Sequence, residues 1–148
     1  MKTKLLTLLL FFSLVFTLPV AAQSPALTVT ADASAKSGAP GAVVVYTLTL
    51  TNTGSAALNL TAPDPDSLNG WPASVTLNST ALNPGASTTA VVSVAIPASA
   101  SDDNMDVTTV RFLDGTSEVG RIGLTTTARR PPPTAAGRPL LVLDSYGV

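Results

Sequence analysis

The sequence predicts an all-β fold, an antiparallel β-sandwich of about seven strands. Apolar residues alternate with small polar ones, most clearly in the segment 43–51, where Val44, Tyr46, Leu48 and Leu50 share one face and threonines occupy the other. Turn residues separate the alternating segments, and no segment has the helical period. Alternation with a period of two is what a strand with one buried face requires. Short strands between frequent turns are typical of a sandwich.

The predicted strands follow one another between recognisable turns. Pro-Gly pairs open the second strand at Pro40-Gly41 and the fifth at Pro84-Gly85, and Asn52-Thr53-Gly54-Ser55 is a turn with a residue suited to positive φ. The third strand ends at Pro63-Asp64-Pro65, because neither proline can donate to a ladder. Asp114-Gly115 predicts a hairpin between the last two strands. The strands are placed at residues 27–31, 43–51, 58–62, 75–77, 87–96, 107–113 and 120–128, with loops at 33–39, 67–72 and 97–104.

Residues 1–22 have the layout of a secretory signal peptide. Lys2 and Lys4 give a positive start, an apolar run follows from Leu5 to Leu18, and small residues precede a cleavage site between Ala22 and Gln23. The alternative is an uncleaved membrane anchor, but the apolar run is shorter than the ~20 residues that a spanning helix needs. We therefore expect a mature chain without a membrane span, secreted or held at the cell surface.

The amino-acid composition favours a bacterial source and excludes some classes of partner. The chain has no cysteine, although small exported domains often depend on disulfides, and this favours a bacterial source. Without residues 1–22 the chain keeps six cationic and nine acidic residues, a net charge of −3. So weak an acidic balance attracts neither nucleic acid nor an anionic membrane. Hydrophobic residues make up 45% of the chain, above the range of disordered segments.

The alternation stops at Ala128, and residues 129–138 form a Pro-rich linker. Its triple proline is a semi-rigid, extended spacer. The first two residues, Arg129-Arg130, are either the start of this linker, which we favour, or a protease processing site.

Residues 139–148 are interpreted as the first strand of a second, similar domain. Leu141 and Leu143 follow Pro139 at the spacing at which Leu27 and Val29 follow Pro25. The alternative is an apolar tail that docks on the first domain.

Several turn and strand segments together carry a resemblance to a known family. They are Pro40 to Gly54, Gly70-Trp71-Pro72, Leu82 to Ser87 and Ile96-Pro97-Ala98. In this order and spacing they resemble the NPCBM-associated domain first noted in α-galactosidases, over about residues 26–128. The resemblance implies an immunoglobulin-like sandwich that serves as an accessory or repeated module in secreted bacterial and archaeal proteins, with no catalytic residues. Residues 139–146 resemble the opening of a CARDB-type adhesion module.

Trp71, the one tryptophan, is the first candidate site residue. Exposed beside Phe112, it would stack on a sugar ring; buried, it would plug one end of the sandwich. We favour the core role, because a sugar-binding platform needs several coplanar aromatic rings and Tyr46 already belongs to the core face of its strand.

Two acidic loops, Asp64-Pro65-Asp66 and Asp102 to Asp106, are candidate calcium sites because hard oxygen ligands cluster there. Within the second loop the three carboxylates are Asp102, Asp103 and Asp106. Neither loop has the regular spacing of a calcium loop, so we predict solvated turns and no metal site.

The residue types present also restrict catalysis. The chain has no His and no Cys, so neither a Ser-His-Asp nor a Cys-His arrangement can form. Its one glutamate, Glu118, lies by the predicted hairpin turn, and paired aspartates cleave glycosides only across a sugar-binding cleft. The sequence therefore predicts a module without enzymatic activity or cofactor, which spaces or presents neighbouring domains of a larger extracellular protein. The alternative is a module that binds extracellular polysaccharide or a partner protein.

Overall fold

The computed structural model of the chain describes residues 26–131. The predicted signal peptide 1–22 with its cleavage site at Ala22 and Gln23, the linker from 132 to 138 and the predicted strand at 139–148 lie outside these residues. The described residues form an all-β, immunoglobulin-like sandwich, and none of their segments is a helix long and apolar enough to cross a membrane. The strands are β1 (Leu27–Ala31), β2 (Ala35–Gly38), β3 (Val43–Asn52), β4 (Leu58–Thr61), β5 (Asp66–Ser67), β6 (Ala73–Leu77), β7 (Ala81–Leu82), β8 (Ser87–Ala95), β9 (Met105–Asp114) and β10 (Ser117–Ala128).

The strands form two sheets in the order of an immunoglobulin domain. One sheet has the order β1-β3-β8-β6, and the other has the order β2-β10-β9-β4-β7, with β5 also paired to β9. This matches the constant-type sandwich, in which strands A, B, E and D face strands C, F and G. The seven predicted strands are confirmed as β1, β3, β4, β6, β8, β9 and β10, and the predicted hairpin joins β9 to β10.

Three short strands were missed. Residues 35–38, predicted as part of a loop, form β2, which pairs with β10 in parallel, so the pairing is not antiparallel throughout. The pairs Asp66–Ser67 and Ala81–Leu82 form β5 and β7. Two residues cannot show a period, and β2 consists mostly of small residues without apolar alternation, so all three depend on hydrogen bonds from neighbouring strands rather than on their own pattern.

The turns follow from their residues, with one exception. In both Pro-Gly turns the residue after glycine donates to the residue before proline, at 2.9 Å from Ala42 N to Ala39 O and at 3.0 Å from Ala86 N to Asn83 O. The glycines have φ of +85° and +74°, as a type II turn requires. Gly54 was predicted to suit a positive φ and does not adopt one; a Cβ there would lie 3.2 Å from the Ala26 Cβ, so the position instead needs glycine for close approach.

Alternation along the strands builds one core between the sheets. In β3 the predicted inward residues Val44, Tyr46, Leu48 and Leu50 are all buried. The Tyr46 hydroxyl donates to the Thr125 backbone oxygen at 2.6 Å and shares a second bond with Thr126 Oγ1 at 2.9 Å. These bonds tie the two sheets together across the core. Among residues 26–131, no buried side-chain nitrogen or oxygen lacks a hydrogen-bond partner.

The described chain enters and leaves the sandwich at opposite ends. At one end Leu27, the first residue of β1, pairs with Asn52, the last residue of β3. At the other end Arg129, just after β10, donates its amide to Gly38 O, and Gly38 packs against Val44 at the start of β3. The two ends are therefore separated by the length of β3, whose ten residues span ~30 Å.

Candidate functional site

Trp71 and Phe112, the candidate sugar-contact residues, are both in the core. Trp71 is 6% exposed and Phe112 is 0% exposed. Neither ring presents a face to solvent, so the arrangement required for sugar stacking, an exposed Trp71 beside Phe112, is not the one adopted. The physical reason is the strand period for Phe112, which lies on the inward face of β9 with Val110.

A hydrogen-bond network fixes the loop that carries Trp71. Asp106 Oδ1 accepts from Ser67 Oγ and from the Asn69 amide, both at 2.8 Å, and Asp106 Oδ2 accepts from Thr108 Oγ1 at 2.8 Å. Ser67 Oγ in turn accepts from the Trp71 amide at 2.6 Å. Because Asp106 on β9 accepts from two groups of loop 67–71, and Ser67 also binds the Trp71 amide, the network holds the loop on the sheet.

The three carboxylates of the second acidic loop do not converge. Asp106 is fully buried in the network just described, so its prediction as part of a solvated turn was wrong. Asp103 Oδ1 lies 2.5 Å from a guanidinium nitrogen of Arg129, and Asp102 Oδ1 accepts from the Arg130 amide at 2.8 Å. Across residues 26–131, no three His, Cys, Asp or Glu side chains are grouped so that they could hold a metal ion. The physical reason for the difference at Asp106 is its position, on the inward side of β9 with Thr108 and Val110.

Asn52 is a second buried polar residue that organises loops. Its side-chain nitrogen donates to Ala56 O at 2.8 Å and to Leu82 O at 2.9 Å, and its side-chain oxygen accepts from the Gly54 amide at 2.9 Å. Its own backbone oxygen accepts from Gly85 at 2.9 Å. One amide side chain therefore joins the turn after β3 to the segment before β8. Sequence reasoning placed Asn52 in a turn, and its parity with Leu48 and Leu50 is the signal that it points inward.

Asp32 and Lys36 hold the crossing from β1 to β2. Lys36 Nζ donates to Asp32 Oδ2 and to Val45 O, both at 2.6 Å, and lies 5.0 Å from the centre of the Tyr46 ring. Asp32 Oδ1 accepts from the amides of Ala33 and Thr47. The hydrogen bond from Lys36 lowers the pKa of Asp32 below its ordinary value of 3.8, with the two amides acting in the same direction and desolvation opposing them.

The acidic side chains of residues 26–131 are occupied by contacts of the framework. Residues 26–131 include eight acidic side chains, and seven of them bind a cation, a hydroxyl or a backbone amide. The eighth, Asp64, is exposed. The pairings are Asp32 with Lys36, Asp66 with Arg111, Asp102 with the Arg130 amide, Asp103 with Arg129, Asp106 with Ser67, Asp114 with the Asn59 amide, and Glu118 with Arg121.

One group of apolar side chains remains exposed on the outer face of the second sheet. Leu68 is 75% exposed and Met105 57% exposed, and Val107, two residues from Met105 on β9, is 39% exposed. The Leu68 amide donates to Val107 O at 3.0 Å, which keeps the loop residue beside β9. A shallow cavity of about 440 Å³, lined by Asp66, Ser67, Leu68, Val107 and Thr109, opens there. We call Leu68, Met105 and Val107 the apolar patch.

No protein-family model matches the chain, and no curated protein matches it. Among solved structures the chain is similar to the secreted serine protease VesC from Vibrio cholerae, with 16% identity, a TM-score of 0.48, and coverage of 71% of this chain and 23% of that one. It is also similar to SSP-19, an MSP-domain protein of Caenorhabditis elegans (18% identity, TM-score 0.43, 68% and 99% of the two chains). A third is PapD-like domain 7 of human CEP192 (12% identity, TM-score 0.46, 81% and 98%). The chain thus spans about a quarter of the length of the VesC structure that it matches.

Proposed function

We propose that residues 26–128 form a non-catalytic accessory module that spaces or presents neighbouring domains of a secreted or cell-surface protein. The observation that carries this proposal is the position of the chain ends. The chain enters where Leu27 pairs with Asn52 and leaves at the opposite end, where Arg129 is bonded to Gly38. A module of this kind can be joined head to tail with others, and it separates its neighbours by ~30 Å.

Three further points support the proposal, one from the structure and two from the sequence. The acidic side chains are occupied by framework contacts rather than directed together into a cleft. The predicted signal peptide at residues 1–22 supports export, and the resemblance to the NPCBM-associated family supports an accessory role.

The spacing role is tested by distance measurement. The chain has no cysteine, so dyes can be attached selectively to Thr28→Cys and Pro131→Cys. We expect a single narrow distribution of energy transfer, at the separation of opposite ends, which stays the same when folded reporter domains are fused to both termini. The pair Thr28→Cys with Ser117→Cys is the control, because Ser117 begins β10 near the end where Leu27 lies. A broad distribution for the first pair would contradict a rigid spacer.

Export is tested separately. When the full chain is expressed in a bacterial host, we expect the product outside the cytoplasm to have the mass of a chain that begins at Gln23. Retention in the cytoplasm with residues 1–22 intact would contradict an exported module, whatever the distance measurement shows.

A second candidate function is adhesion to a partner protein, and the apolar patch is the observation that favours it. Exposed apolar side chains that cluster beside a cavity often mark interaction sites. The burial of Trp71 and Phe112 favours a protein over a polysaccharide as the partner. Replacing Leu68 and Met105 with serine should then abolish adhesion of the mature chain to cells of its source organism. Thr89→Ser, on the opposite sheet, should leave this adhesion unchanged. Equal adhesion of both variants would contradict this candidate.

A further inference from the structure

The last described residues are bonded to the sandwich through the groups that an endopeptidase recognises. The Arg129 amide donates to Gly38 O at 2.7 Å, and its guanidinium lies 2.5 Å from Asp103 Oδ1. The Arg130 amide donates to Asp102 Oδ1 at 2.8 Å. The dibasic pair is therefore part of the folded domain, although the sequence places it at the start of a linker.

The loop that holds the pair is itself held in an uncommon conformation. Asp103 has φ of +65°, in the left-handed region, which glycine adopts most readily and which Asp and Asn adopt more often than other residues. Its amide donates to Ala128 O at 2.9 Å, and the Ala128 amide donates to Asn104 O at 2.8 Å. Such a backbone conformation persists only where surrounding contacts determine it. The loop therefore places the Asp102 and Asp103 carboxylates beside the residues that follow β10.

After β10, one peptide bond has the sequence that a trypsin-class endopeptidase can cleave. Such an enzyme inserts an Arg or Lys side chain into a pocket with a carboxylate and binds the substrate backbone in an extended form. It cleaves poorly before proline, whose ring replaces the N–H of the leaving amine. Arg130 and Arg138 both precede proline, so among the arginines from 129 onward only Arg129 precedes a cleavable bond.

We propose that the Arg129–Arg130 bond is a conditional cleavage site for trypsin-class endopeptidases. While the domain is folded, the contacts of Asp102 and Asp103 protect this bond from cleavage. In cleavage, water supplies the oxygen that turns the Arg129 carbonyl into a carboxylate, the C–N bond breaks, and Arg130 leaves as a free amine. To be cut, the chain must release the Arg129 guanidinium, the Arg129 amide and the Arg130 amide together. This inference stands independently of the proposed spacing role.

Limited digestion with trypsin, followed by mass measurement, tests the proposal. The substrates are the mature chain, its Asp102→Ala/Asp103→Asn variant, which removes the acceptor of the Arg130 amide and the charge that faces Arg129, and a peptide of residues 124–134 as the unprotected reference. We expect the folded chain to be cut at Arg129–Arg130 far more slowly than the peptide. Because cleavage follows the population of the locally opened form, loss of both exposed contacts should speed it about tenfold. Asp64→Asn, the same change at an exposed aspartate elsewhere, should leave the rate unchanged.

Two results would overturn the proposal. One is equal cleavage of the folded wild-type chain and the peptide; the other is an equal rate for wild type and the double variant. Fragments ending at Arg111 or Arg121, which lie within β9 and β10, identify global unfolding and separate it from local opening. If the double variant unfolds, the salt dependence of wild-type cleavage still tests the proposal, because salt screens the exposed ion pair between Arg129 and Asp103. Its cleavage rate relative to the peptide should rise with NaCl, and a rate that does not change rules out the ionic hold.

Discussion

Trp71 and Asp106 are joined through a single hydroxyl group. Ser67 Oγ accepts from the Trp71 amide at 2.6 Å and donates to Asp106 Oδ1 at 2.8 Å. Asp106 is fully buried on β9, and Trp71 belongs to the core between the sheets. The path of the loop from Ser67 to Trp71 therefore depends on a carboxylate from a strand almost forty residues later in the chain.

Removing the Asp106 carboxylate should destabilise the domain by about 2–4 kcal/mol. Asp106→Ala leaves the Asn69 amide and the hydroxyls of Ser67 and Thr108 without their acceptor, and buried donors without a partner are costly. Asp106→Asn should cost less, because its oxygen still accepts from loop 67–71 and its nitrogen can donate to Thr108. Urea unfolding of each variant gives the free energies.

The matched control for Asp106 is Asp64→Ala, which removes an exposed carboxylate and should change the unfolding free energy by less than about 0.5 kcal/mol. An Asp106→Ala variant as stable as this control would show that the buried network contributes nothing.

Trp71→Ala should cost about 3–5 kcal/mol, the range for a large aromatic side chain lost from a core. The buried indole should also give the wild type a blue-shifted emission that added quenchers reach poorly. Fluorescence and urea unfolding are measured on the same sample. Emission like that of indole in water, with an unchanged midpoint for the variant, would mean that Trp71 does not pack in the core.

The fold follows from local pattern wherever a strand is long enough to show one. The alternation of β3 and the two Pro-Gly turns predicted their elements, because each depends on residues adjacent in sequence. Asp106 shows what the same rule could have added, since it lies at the same parity as Val110 and Phe112 in β9 and must therefore point inward. The strands β2 and β5 could not be predicted, because β10 and β9 supply the hydrogen bonds that define them. The hold on Arg129 likewise depends on a loop whose shape no local signal predicts.

A charge at position 52 should be far more damaging than a deletion of the side chain. Asn52→Asp places a carboxylate against the carbonyl oxygens of Ala56 and Leu82, which Asn52 now satisfies as a donor. At neutral pH the carboxylate of Asn52→Asp is an uncompensated buried charge, which costs about 3–5 kcal/mol. Asn52→Ala, which only removes the hydrogen bonds, should cost about 2 kcal/mol. Thermal unfolding of the two variants gives the order. Equal stability of the two would mean that water reaches position 52.

The hydrogen bond between Lys36 and Asp32 should make stability depend on pH. It lowers the pKa of Asp32 in the folded state below the ordinary value of 3.8, so the folded state binds this proton less tightly than the unfolded chain does. The ionised carboxylate therefore stabilises the fold above about pH 4, and this contribution is lost as the pH falls through the lowered folded pKa. In Asp32→Asn the contribution is absent at every pH.

We therefore expect the difference in Tm between wild type and Asp32→Asn to be constant above about pH 5 and to shrink on acidification below pH 4. Calorimetry from pH 2 to pH 7 measures it, in a buffer series of fixed ionic strength because the pair is partly exposed. Asp64→Asn, also exposed, is the matched control and should follow the wild type throughout. A difference that stays constant to pH 2, or widens there, would mean that Asp32 stabilises the crossing to β2 through its shape and its bonds to backbone amides rather than through its charge.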